Sequence, residues 1–255
     1  MSGFIVPSLK TAMLWLFAIM IVCFVIGAVL VVLESDKPDH NIQKNIDFYY
    51  PVQGIEKAQF DLEVDTGSII INPGEESEMV SGTVFFEGML PEPCLSHTIT
   101  NGTANFVIDR EKNILHDLIG GEENWKINLG EKIPANLDIQ LGTGDIIFNS
   151  GEIEIKNVRI ENGAGSLYLD IHEWKGENLD VSIETGIGDL TMIFPDNSDI
   201  FVSRDQGVVN SIISGFSAND NGYIHNGSSV NNSTINVSII QGIGELNLKT
   251  IPEKN

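Results

Sequence analysis

Carboxylates recur at one position of a short repeated motif, and carboxylates are among the ligands that calcium prefers in proteins. Each copy has an alternating strand, a glycine pair separated by one residue, one small or acidic residue, and a second alternating strand. The residue after the second glycine is Ser68, Asp145, Ser166, Asp189 or Glu245. If the copies stack, Asp145, Asp189 and Glu245 line one edge and are the candidates for sharing a cation. A solvated corner that selects small or polar residues is the preferred interpretation.

The remaining residues that could do chemistry form no catalytic pattern. The five histidines are His40, His97, His116, His172 and His225, and none has H-E-x-x-H spacing. His172, beside Glu173 and Trp174, is the best single candidate for a ligand, although a turn between coils is the preferred interpretation. A G-x-S-x-G nucleophile motif is absent. We therefore predict no catalytic residue, no cofactor and no metal centre beyond the acidic edge.

The charge balance excludes one class of partner. The chain has 36 acidic and 14 basic residues, which give a net charge of −22. Such a surface repels a phosphate backbone, so we predict that the protein does not bind nucleic acid. Only two cysteines are present, Cys23 and Cys94, so neither a disulfide framework nor a cysteine-based metal site is expected.

The strands of the motif itself must position these carboxylates. The copies have their second glycine at Gly67, Gly144, Gly165, Gly188 and Gly244, with successive gaps of 77, 21, 23 and 56 residues. Leu179, Val181 and Ile183 alternate with polar residues, so each unit has one apolar face that it cannot bury alone. Stacked units bury it together. The predicted fold is all-β: a single-stranded β-solenoid of stacked coils of about 21–23 residues, preceded by one transmembrane α-helix.

The glycines are predicted to be structural. The first glycine of each pair, at Gly142, Gly163, Gly186 and Gly242, falls where the alternation breaks. A corner there needs either a positive φ or a close approach from the next coil, and glycine allows both. A dinucleotide-binding motif would need a third glycine and a helix, and a P-loop would need Gly-Lys-Ser/Thr. A calcium-binding nonapeptide repeat has a period of about nine residues, which does not match.

These motifs carry a resemblance to a known family. The run W-K-I-N-L-G-E-K-I-P-A-N-L-D-I-Q-L-G-T-G-D, followed by G-A-G-S-L-Y-L-D and T-G-I-G-D-L-T-M-I-F-P, resembles the toast-rack proteins. These are related to proposed adhesins and to cell-envelope-stress ectodomains of the Lia type. The resemblance covers about residues 59–251 and implies a β-solenoid, often on a membrane-anchored chain, without an established catalytic activity. This chain departs from several members in having one apolar span, and in its acidity and sequon-rich loop.

The N-terminus predicts a membrane anchor. Residues 11–33 contain no charge, and 23 residues are long enough to cross a bilayer. A secretory signal would be shorter and would end in a small-x-small cleavage site, which is missing here. The predicted organisation is a cytoplasmic tail at 1–10, the anchor at 11–33, a juxtamembrane linker at 34–58, the solenoid at 59–251 and a tail at 252–255.

The orientation is predicted from sequons. Lysines flank the anchor on both sides and decide nothing. Candidate glycosylation sites occur at Asn101, Asn226, Asn231, Asn232 and Asn236. Because such sites belong to exported surfaces, we predict a single-pass protein of the cell membrane with its C-terminal domain outside.

We predict a non-catalytic, membrane-anchored extracytoplasmic module for binding, sensing or surface scaffolding. A glycan-active β-helix enzyme and a self-associating surface adhesin are the alternatives. Besides the membrane, the predicted partners are an envelope polymer or a membrane protein, and the oligomeric state is left open. Tyr168 and Trp174 are the candidate exposed aromatics of a binding face, with core packing as the alternative.

Overall fold

The structure is a computed structural model that describes residues 43–87, 92–109, 121–227 and 233–252. The described residues form strands and connecting turns, without an α-helix. The strands are β1 (Gln43–Pro51), β2 (Lys57–Pro73), β3 (Glu78–Glu87), β4 (Cys94–Thr100), β5 (Thr103–Asp109), β6 (Glu123–Leu129), β7 (Ala135–Asn149), β8 (Ile155–Ala164), β9 (Leu167–Asp170), β10 (Asn178–Ile187), β11 (Leu190–Pro195), β12 (Asp199–Ser214), β13 (Ser217–Asn219), β14 (Gly222–His225) and β15 (Thr234–Ile251). The prediction of an all-β domain is confirmed.

Each repeated motif forms one coil that turns at its glycines, and the coils stack in parallel. Phe60 pairs with Leu137, Leu137 with Val158, and Val158 with Val181. Leu179 in turn pairs with Ile235. The offsets between these partners are those of the glycine alignment, so the copies lie in register, as a β-solenoid requires. In-register stacking buries the alternating apolar face of every unit against its neighbours.

The glycine corner divides the coils into two layers. Before the corner, the strand order is β4-β5-β2-β7-β8-β10-β15-β12-β14-β13, and we call this the pre-corner layer. After the corner, it is β1-β3-β6-β2-β7-β9-β11-β15-β12, the post-corner layer. Buried side chains from both layers form one hydrophobic cluster. Continuous ladders such as Ile139, Ile160, Ile183 and Ile239, all 0–1% exposed, run through it.

The order of the coils departs from the order of the sequence at one place. β15 lies between β10 and β12, parallel to both, although it follows both in the chain. The last motif of the chain is therefore not the last coil of the stack. β15 has both corner glycines and fits between two neighbours, whereas β12 has Gly207 but Val209 opposite Gly244. The incomplete corner therefore belongs to the terminal coil.

Antiparallel strands extend the stack at its ends. β3 and β1 continue the post-corner layer beyond β6, and β4 continues the pre-corner layer beyond β5. β1 lies within residues 34–58, for which the sequence predicts a linker, so residues 43–51 belong instead to the sheet. The physical reason is the alternation of apolar residues in this segment, because Ile46, Phe48 and Tyr50 pack partly against the core.

No helix in the described part of the chain is long and apolar enough to cross a membrane. The predicted anchor, residues 11–33, lies outside the described residues.

Candidate functional site

The glycine corner is built by steric exclusion. The second glycines have φ between 135° and 154°, a region that L side chains rarely adopt. A β carbon on Gly165 would lie 1.9 Å from the carbonyl oxygen of Gly144, and the same contact recurs along the column. The first glycines have no left-handed φ, but a β carbon on Gly163 would lie 2.4 Å from the Gly142 oxygen. The close approach of the neighbouring coil therefore explains why glycine is needed at both positions of the pair. Positive φ is a further reason at the second position alone.

The acidic edge links one coil to the next. In spatial order its residues are Ser68, Asp145, Ser166, Asp189 and Glu245. Asp145 Oδ1 accepts a hydrogen bond from the Ser166 N–H at 2.8 Å, and Asp189 Oδ1 accepts one from the Glu245 N–H at 2.9 Å. Ser166 separates the two aspartates, which are therefore about 9–10 Å apart at the usual strand spacing. The two aspartates thus bind the backbone of the next coil, whereas Glu245 Oε2 accepts a hydrogen bond from the side-chain Nδ2 of Asn210 at 3.5 Å.

These carboxylates do not converge on one point. Within the described ranges, no group of three or more His, Cys, Asp or Glu side chains could hold a metal ion. His172 Nδ1 lies 2.5 Å from Asp170 Oδ1, and its Nε2 lies 3.6 Å from Glu173. This cluster occupies the turn after β9, so His172 helps to shape a connection between coils.

A second polar column, which sequence reasoning missed, lies on the inner side of the corner. It consists of Asn162, Thr185 and Gln241, the residues before the first glycine in three consecutive coils, and we call it the inner corner column. All three are buried. A signal was available, because strand alternation assigns this inward position to an apolar residue. Val64 and Leu141 are the apolar residues at this position in the two preceding coils.

The outer side of the pre-corner layer has a groove with a floor of small residues. Ser182, Ser238 and Ser203 are in-register partners on β10, β15 and β12, and we call this groove the serine trough. It has a volume of about 440 Å³ and is also lined by Asp180, Asn236, Phe201 and Arg159. Small floor residues between larger neighbours make a channel that follows the stack axis.

The trough offers three kinds of contact. Phe201 is 44% exposed and supplies an apolar ring face. Asn236 donates a hydrogen bond from Nδ2 to Asp180 Oδ1 at 3.0 Å, which orients both side chains. Arg159 forms an ion pair with Glu161, and the hydrogen bond and charge of Glu161 raise the pKa of the Arg159 guanidinium above its ordinary value. Arg159 is therefore a permanent cation beside the trough.

The two aromatics predicted for a binding face differ in outcome. Trp174 is 3% exposed and donates from Nε1 to the Ile155 carbonyl oxygen at 3.1 Å, so core packing, the alternative to exposure, is the correct interpretation for this residue. The physical reason is that an indole with one donor is satisfied inside the core when a strand-end carbonyl is within reach. Tyr168 is 37% exposed, and its partial burial together with the charge of Asp170 raises the pKa of its phenol.

Three of the five sequons lie in the described part of the chain. Asn101 is exposed in the β4–β5 turn with φ 50°, and Asn226 is exposed after β14. Asn236 lies within β15, which is paired on both sides. Asn231 and Asn232 are outside the described residues.

A family model and one solved structure support the same architecture. Residues 34–193 match the family model of the N-terminal domain of toast_rack, DUF2154. The chain is similar to the solved structure of a proposed cell adhesion protein from Clostridium sporogenes ATCC 15579. That match has 25% sequence identity and a TM-score of 0.72, and it covers 82% of this chain and 100% of that one. A proposed adhesin from Bacteroides fragilis NCTC 9343 is 12% identical, with a TM-score of 0.28 and coverage of 82% and 97%. No curated protein sequence matches.

Proposed function

The chain belongs to the toast-rack family, and from this membership we propose that it is a non-catalytic surface module that binds an envelope polymer through the serine trough. The related structure from Clostridium sporogenes is a proposed cell adhesion protein, and its whole length is covered by the match. A shared fold at this identity supports adhesion as the kind of role.

We further propose that residues 11–33 anchor the protein in the cell membrane, with residues 1–10 in the cytoplasm and the β domain outside. The uncharged length of the segment supports a single span. The exposed sequons at Asn101 and Asn226 support an external domain. An outward-facing module with one anchor is suited to contact polymer at the surface.

One observation carries the binding proposal: the serine trough combines an exposed ring, a row of small polar residues and a fixed cation. Sugar-like polymers present hydroxyl groups and apolar ring faces, which such a combination matches. The trough also runs across parallel strands spaced about 4.8 Å apart. A linear polymer lying along the stack axis would thus meet a serine on each of β10, β15 and β12, with Arg159 and Phe201 as single contacts beside this row.

The hydrogen bonds of the carboxylates near the serine trough support the proposal of a non-catalytic role. A glycosidase needs two carboxyl groups facing one bond, about 5–10 Å apart. Asp180 is held by Asn236, and Glu161 by Arg159, so the acidic groups near the trough make hydrogen bonds within the protein.

Co-sedimentation with isolated cell-wall polymer tests the binding function. Residues 43–255 form one compact unit, so this segment is the protein to use. We expect it to sediment with the polymer, and the Phe201→Ala variant to lose most of this binding. Tyr49→Ala is the matched control, because Tyr49 is 57% exposed on β1, away from the trough. Equal binding by both variants would exclude the trough as the binding surface.

Self-association is a second candidate, favoured by the terminal coil. Residues 209–214 of β12 pair with β15 on one side, and no described strand pairs with the other. This segment contains no charge, and Ile212 is 49% exposed. An uncharged strand edge is a template for pairing with another chain.

Light scattering over a range of protein concentrations tests this second candidate. If the edge mediates association, the Ile212→Lys variant is monomeric at concentrations where the unaltered protein is not. Ile147→Lys is the control, because Ile147 is exposed within an interior coil of the same layer. A monomer at all concentrations would exclude the edge as an interface.

A further inference from the structure

The inner corner column is polar, although the glycine corner does not require polar residues at this position. Asn162 pairs with Thr185, and Thr185 pairs with Gln241, so the three residues occupy consecutive coils. They are 3%, 3% and 1% exposed. Val64 and Leu141 fill the same column in the two preceding coils, with the same glycine corner beside Leu141. The corner therefore accepts apolar residues, and the three polar residues need a separate explanation.

The side-chain amide nitrogens of Asn162 and Gln241 have a clear role as hydrogen-bond donors. Asn162 Nδ2 donates to the carbonyl oxygens of Gly144 and Gly165, at 3.3 and 3.2 Å. Gln241 Nε2 donates to the carbonyl oxygens of Gly188 and Glu245, at 2.9 and 3.3 Å. Each amide thus joins its own coil to the preceding one, and its hydrogens are used.

The side-chain oxygens of the column have no such role. Asn162 Oδ1, Thr185 Oγ1 and Gln241 Oε1 are buried, and among the residues that the structure describes they have no hydrogen-bond partner. Native proteins rarely leave such atoms unpaired, and ordered water commonly satisfies them. Neighbouring strands are about 4.8 Å apart. A water that donates two hydrogen bonds of about 2.8 Å at a tetrahedral angle spans about 4.6 Å, which matches this spacing.

We propose that the inner corner column binds two ordered waters, one between Asn162 and Thr185 and one between Thr185 and Gln241. The first water donates to Asn162 Oδ1 and accepts from the Thr185 hydroxyl. The second donates to Thr185 Oγ1 and to Gln241 Oε1. Every unpaired oxygen of the column then has a partner.

Water fits this site better than a cation does. The three oxygens are uncharged, and each gap between coils offers two of them. A calcium or magnesium ion takes six or more oxygen ligands and favours carboxylates, whereas two to four polar partners are enough for a buried water. This site goes beyond the proposed binding function and does not depend on it.

A high-resolution crystal structure tests the site directly. We expect two density peaks in the column, each within hydrogen-bond distance of the oxygens named above. A column without peaks, or one in which Thr185 Oγ1 contacts Asn162 or Gln241 directly, would overturn the proposal.

The Thr185→Val variant tests it in solution, because valine keeps the shape and removes the hydroxyl. If the waters are present, both lose a partner and the melting temperature falls by about 2–4 °C. If the hydroxyl is unpaired, its removal raises the melting temperature and contradicts the proposal. Thr143→Val is the control, because Thr143 is exposed at the corner of an adjacent coil and its change should have little effect.

Salt identity separates water from a monovalent cation. The melting temperature of the full chain is compared in sodium, potassium and tetramethylammonium chloride at equal concentration. We expect the same value in all three. A higher value in one alkali salt alone, absent from the Thr185→Val variant, would assign a cation to the column and overturn the water proposal.

Discussion

The second glycine of each motif has no space for a β carbon, and the obstacle is the backbone of the neighbouring coil. A side chain could be moved aside, but a carbonyl oxygen in a ladder cannot move without breaking that ladder. The requirement for glycine is therefore imposed by the stack as a whole and exceeds that of an ordinary turn.

Gly165→Ala measures this requirement. We expect the free energy of unfolding to fall by about 3 kcal/mol or more, because a positive φ and a backbone clash add together. Urea denaturation of residues 43–255 measures the change. Gly54→Ala is the matched control, since Gly54 has φ 66° but no atom of the described residues lies within 4 Å of the position that a β carbon would take. The free energy of unfolding of Gly54→Ala should fall by about 1 kcal/mol. Equal falls in Gly54→Ala and Gly165→Ala would show that the backbone clash contributes nothing.

The acidic edge gives a second prediction for single residues. Because Asp189 Oδ1 accepts from the Glu245 N–H, Asp189→Ala should destabilise the protein by about 1 kcal/mol. Asp189→Asn keeps an acceptor oxygen, so its free energy of unfolding should fall by less than that of Asp189→Ala. Thermal denaturation with and without calcium extends the test to the Asp145→Asn/Asp189→Asn double variant. We expect calcium to change the melting temperature of the unaltered protein and of the double variant by the same amount. A calcium-dependent rise that is seen in the unaltered protein and lost in the double variant would establish a cation site.

At the scale of elements, β15 holds the C-terminal coils together. It pairs with β10 and β11 on one side and with β12 on the other, and its residues Ile235, Val237 and Ile239 are buried. An inserted parallel strand can pair fully only when both neighbours are in place. Its contacts also join residues that are far apart in the chain, which is typical of slow-folding β topologies.

The two faces of β15 provide a matched pair of substitutions. Ile239→Ala should lower the free energy of unfolding by about 2–5 kcal/mol, because Ile239 is buried. Ile240→Ala, one residue along and 49% exposed, should change it by about 0.5 kcal/mol or less. Chemical denaturation compares them. Similar losses in both would contradict the register of β15.

Removing the whole element is a stronger test. A chain truncated after residue 232 lacks β15 and leaves the edges of β10, β11 and β12 without their partner. We expect the loss of cooperative unfolding, followed by calorimetry, and aggregation through the exposed strands. Removal of residues 253–255 alone is the control and should leave the transition unchanged.

At the scale of the whole molecule, the net charge of −22 acts on every coil. Like charges repel in the compact state, and added salt screens this repulsion within about 10 Å at 0.1 M. We expect the melting temperature to rise between low salt and about 0.1–0.2 M sodium chloride. A fall with added salt would show that attractive ion pairs outweigh repulsion.

Much of this architecture could be predicted from residue patterns. Strict alternation, as in Leu179–Val181–Ile183, specifies which side of a strand is buried, because side chains point alternately to opposite faces. The glycine spacing specified which residues stack on which, and the net charge predicts that the protein does not bind nucleic acid. These are local or additive properties, so a single chain displays them without knowledge of the fold.

Other features depended on contacts between distant segments. The position of β15 between β10 and β12, the burial of Trp174 and the serine trough all arise from residues about 20 to 60 positions apart that meet only in the stack. The inner corner column is the clearest case. The sequence alone determined the motif and its polar residue, but only the tertiary structure decided that Asn162, Thr185 and Gln241 share one buried column, because register across coils is a property of the assembled sheet.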